Sequence, residues 1–263
     1  MNTHVFIPLI ATVAYIPLFV ILLANRPWQR KQKLFFLFLI PAILWSLSTI
    51  IFRSDFFAQE KLLLIKIVIC INVWMLVQFH YFLHSFYQFG RTRIPLVYIF
   101  VVSTIVLATL GYIPQSIEVT ARSINVEYGV WTIAVFLLFL FTIVVKDLYS
   151  LWQRYRISPD PAERNQIAYI LSAAAILVIF ISNSTTPRGG EYPVAHIGNL
   201  ITAIILIYSV IAHRLLDIRI VLRRVLMYLG LYGTGVSIVA LCFFLVHLLF
   251  GFKPDLATLA IVI

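Results

Sequence analysis

The sequence predicts an all-α, polytopic membrane protein built as a bundle of apolar helices. Of its 263 residues, 62% are apolar and only 11% are charged, whereas about 25% of the residues in an average soluble domain are charged. The mean hydropathy is +1.00, and apolar runs long enough to cross a bilayer recur along the chain. This composition excludes a soluble enzyme and leaves little room for a large domain outside the membrane.

Eight apolar runs have about the 20 residues that a membrane helix needs. They cover 5–24, 34–52, 67–89, 94–113, 128–145, 167–186, 192–212 and 225–252. A ninth run begins at Leu256 and reaches Ile263, which indicates a piece of a longer protein. We therefore divide the chain into a seven-helix membrane region over 1–212, a connector over 213–224, and an eighth helix with the truncated start of a ninth over 225–263.

Two sequence signals define the turn between the fifth and sixth runs. The fifth run continues at helical spacing through 146–156 and breaks at Ser158, so we expect its helix to extend beyond the bilayer. The residues Asp-Pro-Ala-Glu at 160–163 have the pattern of a capping box with proline at the first helical position. This pattern predicts that the sixth helix begins there.

The basic residues predict the orientation of the chain. If the N-terminus is outside, 14 of the 20 Lys and Arg residues fall in the cytoplasmic segments 25–33, 90–93, 146–166 and 213–224. Because basic residues favour cytoplasmic loops, the sequence predicts a multi-pass protein with its N-terminus outside. The same bias accounts for most of the net charge of +10, so the charge does not indicate a nucleic-acid partner.

The sequence gives little support for a transporter or an enzyme. No Asp, Glu or Arg falls well inside any apolar run, although an ion-coupled transporter uses such intramembrane charges. The longest loops, 114–127 and 146–166, are too short for a catalytic domain, and the common catalytic motifs do not occur. Cys70 and Cys242 lie in apolar runs and predict neither a disulfide nor a metal site. We expect no catalytic residue and no cofactor in this chain.

His80 and His84 are the weak candidates for metal or haem ligands. They lie four residues apart and therefore share one face of the third helix. Two imidazoles one turn apart can bind the same ion. The commoner role for such residues is hydrogen bonding between helices or anchoring at the membrane interface, because the run is rich in aromatic residues and His84 lies near its cytoplasmic end.

Polar residues gather at the expected outer ends of the sixth and seventh runs. Asn183, Tyr192, His196 and Asn199 are candidates for the binding of a small ligand or signal, and the last two share one helix face. The alternative is that these residues form hydrogen bonds between helices around a capped turn. Both interpretations stay open at the level of the sequence.

The connector 213–224 joins the seventh and eighth runs with alternating charged and apolar residues. Arg214 and Asp217 can pair at a spacing of three residues, and Arg223 and Arg224 end the segment. We expect the connector to lie at the membrane surface. The eighth run carries small residues near its inner end, which permit close helix packing within one chain or between two copies.

Several stretches together resemble a known family. They are 74–92, Asp-Pro-Ala-Glu-Arg-Asn-Gln-Ile at 160–167, His-Ile-Gly-Asn at 196–199, His-Arg-Leu-Leu-Asp-Ile at 213–218, and Tyr208, Arg223, Arg224 and Tyr228. Their order and spacing resemble the N-terminal seven-helix region of bacterial membrane sensor histidine kinases, over about residues 5–220. In that family the helices form an input module that precedes PAS or GAF domains and a dimeric kinase.

The resemblance implies a receptor region in a bacterial inner membrane that acts in a two-component system as a homodimer. The connector then serves as the signal relay. The sequence contains neither a phosphoacceptor helix nor an ATP-binding glycine-rich segment, so we expect the kinase output domain after residue 263 or in a partner chain. Two alternatives stay open, namely a small-solute transporter and a redox subunit that binds haem or a metal through His80 and His84.

Overall fold

The computed structural model describes residues 3–24, 28–53, 59–87, 96–119, 124–184 and 194–212, and most of them are helical. All of them belong to the first of two units of the chain, Met1–Ile218. The second unit, Arg219–Ile263, lies outside the described residues. The predicted eighth and ninth helices therefore also lie outside them, as does the connector with Arg214, Asp217, Arg223 and Arg224.

Eight α-helices follow one another in these residues. They are α1 (Thr3–Ala24), α2 (Arg30–Arg53), α3 (Lys61–His84), α4 (Ile99–Thr109), α5 (Gly129–Phe139), α6 (Val145–Ile157), α7 (Pro161–Ser184) and α8 (Val194–Ala212). A 3-10 turn, Leu96–Tyr98, leads into α4. A π-helical turn, Leu140–Val144, joins α5 to α6, so that these two helices form one continuous segment.

Four of the described helical segments are long and apolar enough to cross a membrane. They are Arg30–Arg53, Lys61–His84, Gly129–Ile157 and Pro161–Asn183. Shorter apolar helical stretches cover Ile7–Val20, Leu96–Thr109 and Val194–Val210. Large apolar side chains are exposed on the outer faces of these helices, for example Val130 at 78% and Phe141 at 69%. The chain therefore has the helices of a membrane protein.

The third helix begins earlier than the sequence predicts. The apolar run begins at 67, whereas α3 begins at Lys61 and ends at His84. Lys61 is buried, and its Nζ atom donates a hydrogen bond of 2.5 Å to the carbonyl oxygen of Phe52. That oxygen belongs to the last turn of α2, where carbonyl groups lack partners within the helix and favour a cation. This contact explains how a charged residue can begin a buried helix.

A β-hairpin corrects the all-α prediction. The segment 114–127 was expected to be a loop, but β1 (Ser116–Val119) and β2 (Ile124–Glu127) form an antiparallel pair. Each strand alternates β-branched and polar residues, which favours a strand over a helix. The Ser116 hydroxyl also donates to the Glu127 carboxylate across the pair at 2.6 Å. Val126 is buried, so this face of the hairpin packs against the helices.

The helices contact one another in a continuous set. Helix α2 packs between α1 and α3, α8 packs against α1 and α7, and α3 also contacts α4 and α6. Buried aromatic rings join α2 to α3: the ring centroids are 4.8 Å apart for Phe38 and Phe79, and 4.9 Å apart for Phe35 and Phe82. Between α7 and α8, the Thr202 hydroxyl donates to the carbonyl oxygen of Ala173 at 3.2 Å.

The turn between α6 and α7 forms only half of the predicted capping box. Helix α6 ends at Ile157, next to the predicted break. The Asp160 carboxylate accepts a hydrogen bond of 2.9 Å from the Ala162 amide, as a cap does. The Glu163 carboxylate instead accepts from the Ser158 hydroxyl and, at 2.8 Å, from Nη2 of Arg154. Glu163 therefore ties the start of α7 to the end of α6.

Candidate functional site

A cavity of about 110 Å³ lies among the described helices, at the end where the β-hairpin packs. Its wall comes from the C-terminal part of α2, the N-terminal half of α3, helices α4, α5, α7 and α8, and the hairpin. Most of the wall is aliphatic or aromatic. The polar side chains in it are Thr49, Arg53, Asn72, Thr104, Tyr128, Thr132 and His196. A small group of polar atoms in an apolar enclosure is typical of a site for a small molecule.

His196 is the predicted site residue that the structure places in the cavity wall. Its side chain is 4% exposed, and its ring stacks on the indole of Trp45 with the centroids 4.3 Å apart. The Nδ1 atom is buried and has no hydrogen-bond partner in the protein. Buried polar atoms are nearly always hydrogen-bonded to protein or to water, so a ring nitrogen without a protein partner beside a cavity indicates a place for a water molecule or for a polar group of a ligand.

Arg53 and Tyr128 lie at the end of the cavity that the hairpin covers. Arg53 ends α2, and Tyr128 follows the second strand. Both line the cavity, and the two side chains are close enough to interact electrostatically. Asn72 adds an amide from the middle of α3, and its Oδ1 atom is buried without a hydrogen-bond partner. The wall therefore combines one fixed positive charge with neutral hydrogen-bonding groups.

Asn199 lies one turn along α8 from His196 and belongs to a different set of contacts. Its Oδ1 atom accepts a hydrogen bond of 2.6 Å from the Tyr15 hydroxyl, and its Nδ2 atom donates to the Ser46 hydroxyl at 3.2 Å. All three side chains are fully buried. Asn199 is not among the residues that line the cavity. It joins α8 to α1 and α2, as the hydrogen-bonding interpretation of this cluster expects.

The structure describes three of the four residues predicted for the outer site, and it places them in different surroundings. His196 lines the cavity, Asn199 lies in the helix contacts, and Asn183 is exposed on α7. Tyr192 lies outside the described residues. The sequence reasoning missed Arg53, which it counted only as a charge that sets orientation, and it missed Tyr128 and Asn72. An amide inside an apolar run is a signal of a functional position, so Asn72 was detectable.

The opposite end of α3 carries a second polar cluster, which we call the Asp147 cluster. The Oδ2 atom of Asp147 lies 2.7 Å from Nδ1 of His80. The Oδ1 atom of Asp147 accepts a hydrogen bond of 2.6 Å from the Tyr87 hydroxyl. Burial and the negative charge of Asp147 raise the pKa of Tyr87, so the phenol keeps its proton. The sequence placed Asp147 in a cytoplasmic extension, whereas its side chain is buried between α3 and α6.

The structure places His80 and His84 side by side on α3. Their ring centroids are 5.8 Å apart, and His80 directs Nδ1 at Asp147. His84 lies against the ring of Tyr87, with the centroids 5.0 Å apart. Among the residues that the structure describes, no group of three or more His, Cys, Asp or Glu side chains is arranged to hold a metal ion.

Comparison with known proteins assigns no family to this chain. No known protein family matches the sequence, and no curated protein matches it. Among the described residues, the cavity with His196 in its wall offers a site for a small molecule.

Proposed function

We propose that this chain is the signal-sensing membrane region of a bacterial sensor histidine kinase of a two-component system. The observation that carries the proposal is the cavity whose wall contains the buried, unpartnered Nδ1 atom of His196. The resemblance of 74–92, 160–167, 196–199 and 213–218 to the membrane regions of such kinases supports it. In this proposal the cavity binds a small stimulus molecule, and the chemistry of phosphoryl transfer belongs to a kinase region beyond Ile263 or in a partner chain.

The proposal includes an orientation in the inner membrane with the N-terminus outside. The distribution of Lys and Arg supports this orientation. In this orientation the β-hairpin, the end of α2 and the start of α8 lie on the outer side of the membrane. The cavity, which these elements line, therefore lies on the outer side as well. The Asp147 cluster then lies toward the cytoplasm. A stimulus from outside the cell thus has a site on the side from which it arrives.

Helix α8 offers the route from the cavity to the cytoplasm. It begins at Val194 beside the cavity and continues for 19 residues, which is about 28 Å along a helix. The connector follows it, and its basic residues are attracted to anionic lipid by about 1 kcal/mol each near the surface. A ligand that binds two arrangements of α8 with different affinity shifts their populations. The connector, with Arg214 and Asp217, then passes that shift to the output domain of a homodimer.

The test is a phosphorylation assay on the complete gene product in membrane vesicles. Asp217→Arg replaces an attraction to Arg214 with repulsion, so we expect a change of about threefold or more in basal ATP-dependent autophosphorylation. The control is Ile157→Arg, whose side chain is 74% exposed at the end of α6; this control should leave the basal level near that of the wild type. The isolated 1–263 chain should not phosphorylate itself, because it lacks the residues that position ATP and Mg²⁺.

Two results would overturn this proposal. The first is a complete gene product that shows no ATP-dependent phosphorylation with any variant. The second is uptake of a solute by vesicles that contain the 1–263 chain, above the level in protein-free vesicles, because this result favours the alternative of a small-solute transporter.

A further inference from the structure

We infer that the C-terminal end of α6 and the first turn of α7 bind the headgroup of an anionic phospholipid. The lipid phosphate lies toward Arg156 and Arg164, and the region where the headgroup joins the acyl chains lies against Trp152. This inference goes beyond the proposed function. None of these residues lines the cavity, and lipid binding is measured without any kinase.

Two exposed tryptophan side chains place α6 relative to a bilayer. Trp131 lies near the start of the continuous segment Gly129–Ile157 and is 54% exposed, and Trp152 lies near its end and is 48% exposed. They are 21 residues apart, which is about 30 Å along a helix and matches the thickness of the hydrocarbon core. Because tryptophan collects at membrane–water interfaces, we place Trp152 at the level of the lipid headgroups.

The surface between these two positions agrees with this placement. Exposed apolar side chains such as Leu138 and Phe141 lie between the two tryptophans. Lys146, which is also exposed, lies less than two turns before Trp152, so its long side chain can extend its charge to the interface. The exposed surface therefore changes from apolar to cationic near Trp152.

The exposed stripe of α6 continues into the headgroup layer. Val145, Tyr149, Trp152 and Arg156 follow one another at spacings of four, three and four residues, so they share one helix face, and all four are exposed. The opposite face carries the buried Asp147. Arg156 lies about 6 Å beyond Trp152 along the helix, which is within the polar layer of the bilayer.

A stack of side chains adds a second cation to this stripe. The ring of Tyr155 stacks on Trp152 with the centroids 5.7 Å apart, and the guanidinium group of Arg164 lies 5.2 Å from the ring centroid of Tyr155. Such a cation–π contact favours one position of the guanidinium group. Arg164 is nevertheless exposed. Helices α6 and α7 thus hold two exposed guanidinium groups beside one aromatic pair.

The carboxylates of this region already have contacts of their own. These contacts join Asp147 to His80 and Tyr87, Glu163 to Arg154 and Ser158, and Asp160 to the amide of Ala162. Arg156 and Arg164, by contrast, form no salt bridge with any residue in the described part of the chain. Their charges are therefore available to an anion from outside the protein.

A phospholipid headgroup fits these two cations better than a second copy of the chain does. The planar donors of a guanidinium group match phosphate oxygens, and exposed basic residues at a membrane surface attract anionic lipid. Two copies of this face would instead bring like charges together, which disfavours a symmetric contact through it. The aromatic pair adds a surface for the apolar part of the lipid, which a soluble phosphate ester lacks.

The experiment is a lipid titration of the full 263-residue chain in a mild detergent, with native mass spectrometry to count the bound lipid molecules. The probes are phosphatidylglycerol and phosphatidylcholine with the same acyl chains, and soluble glycerol 3-phosphate. We expect phosphatidylglycerol to bind at least about tenfold more tightly than phosphatidylcholine, since two cations contribute about fivefold each. Glycerol 3-phosphate should not bind at concentrations that saturate the site with phosphatidylglycerol.

Variants connect the binding to this face. Arg156→Gln and Arg164→Gln should each weaken the binding of phosphatidylglycerol by about fivefold and leave that of phosphatidylcholine nearly unchanged. The matched control is Lys33→Gln, because Lys33 is exposed at the start of α2 and is likewise assigned to the cytoplasmic side. This control should change the affinity by less than about twofold. The comparison of the two lipids on the wild-type chain needs no variant.

Four results would overturn the inference. One is equal affinity of the wild-type chain for the two phospholipids. Another is an effect of Lys33→Gln as large as that of Arg156→Gln, because it shows attraction to charge in general rather than a site. A third is binding of glycerol 3-phosphate as tight as that of phosphatidylglycerol. The last is a dimer that Trp152→Ser dissociates without any change in lipid binding, because it assigns this face to a second copy.

Discussion

Gly198 lies so close to Phe180 that a β-carbon at position 198 would be 2.3 Å from the β-carbon of Phe180. The two residues face each other where α7 and α8 pack. Real β-carbon contacts are not this short, so a larger residue at position 198 must push the helix backbones apart. The hydrogen bond from Thr202 to Ala173 holds the same pair of helices one turn further along. Helices α7 and α8 are therefore a tightly coupled pair beside the cavity.

Gly198→Val should destabilise the protein by about 1–3 kcal/mol, because the added methyl groups meet the rigid base of the Phe180 side chain. Thermal unfolding in detergent measures the effect. Ile204→Val is the control, since Ile204 is 55% exposed on the same helix. An unfolding temperature of Gly198→Val equal to that of the wild type would show that α7 and α8 can separate without cost.

Asp147→Ala should cost about 1–3 kcal/mol of stability, because it leaves the half-buried polar groups of His80 and Tyr87 without their shared acceptor. A double-mutant cycle with Tyr87→Phe should show a coupling energy of at least about 0.5 kcal/mol. The control is Tyr149→Phe, whose ring is 61% exposed on α6. Additive losses in the cycle would contradict the contact between Tyr87 and Asp147.

Asn199→Leu should destabilise the protein far more than Asn183→Ala. The first change removes the closer of two acceptors of the Tyr15 hydroxyl and the donor to the Ser46 hydroxyl in a fully buried place, at about 1–3 kcal/mol. The second removes an exposed side chain, and such changes usually stay within about 0.5 kcal/mol. Combining Asn199→Leu with Tyr15→Phe should recover part of the loss. Equal stabilities of the two single variants would mean that Asn199 does not hold α8 to α1.

Cysteine labelling should distinguish the two sides of the membrane. With Cys70 and Cys242 replaced by serine, an impermeant reagent added to intact cells should label Ser116→Cys in the hairpin and should not label Ile157→Cys at the end of α6. Ile157 is 74% exposed, whereas Ser158 is 4% exposed and would report burial. Permeabilised cells should label both positions. The opposite pattern in intact cells would invert the orientation.

Much of the helical part of the fold was predictable, because apolar runs and helix-breaking residues are local signals. The extension of the fifth helix through 146–156 is confirmed, since α6 ends at Ile157. The start of α3 was not predictable from a hydropathy pattern, because burial of Lys61 depends on a carbonyl group of another helix. The strands of the hairpin were missed because each has only four residues. An alternation of polar and apolar residues over so short a stretch is a weak signal beside long apolar runs.

The candidate site was predictable only in part. The sequence brought attention to His196 and Asn199 because polar residues stand out in an apolar helix. It could not separate their roles, because the contacts that separate them come from distant parts of the chain. Tyr15 is 184 residues from Asn199, and Ser46 is 153 residues from it. Such pairings follow from helix packing, which a single sequence does not specify.

The π-helical turn Leu140–Val144 determines which directions the side chains of α5 and α6 face relative to one another, within the longest described helical segment. Phe139 faces the cavity, and Asp147, eight residues later, faces α3. In a regular α-helix, with 3.6 residues per turn, eight residues leave these two side chains about 80° apart. A π turn absorbs one extra residue, so the remaining seven residues complete almost two whole turns, and both side chains point toward neighbouring helices. Deleting one residue within this turn should therefore preserve both faces, whereas the same deletion inside α5 or α6 should rotate part of one of them toward lipid.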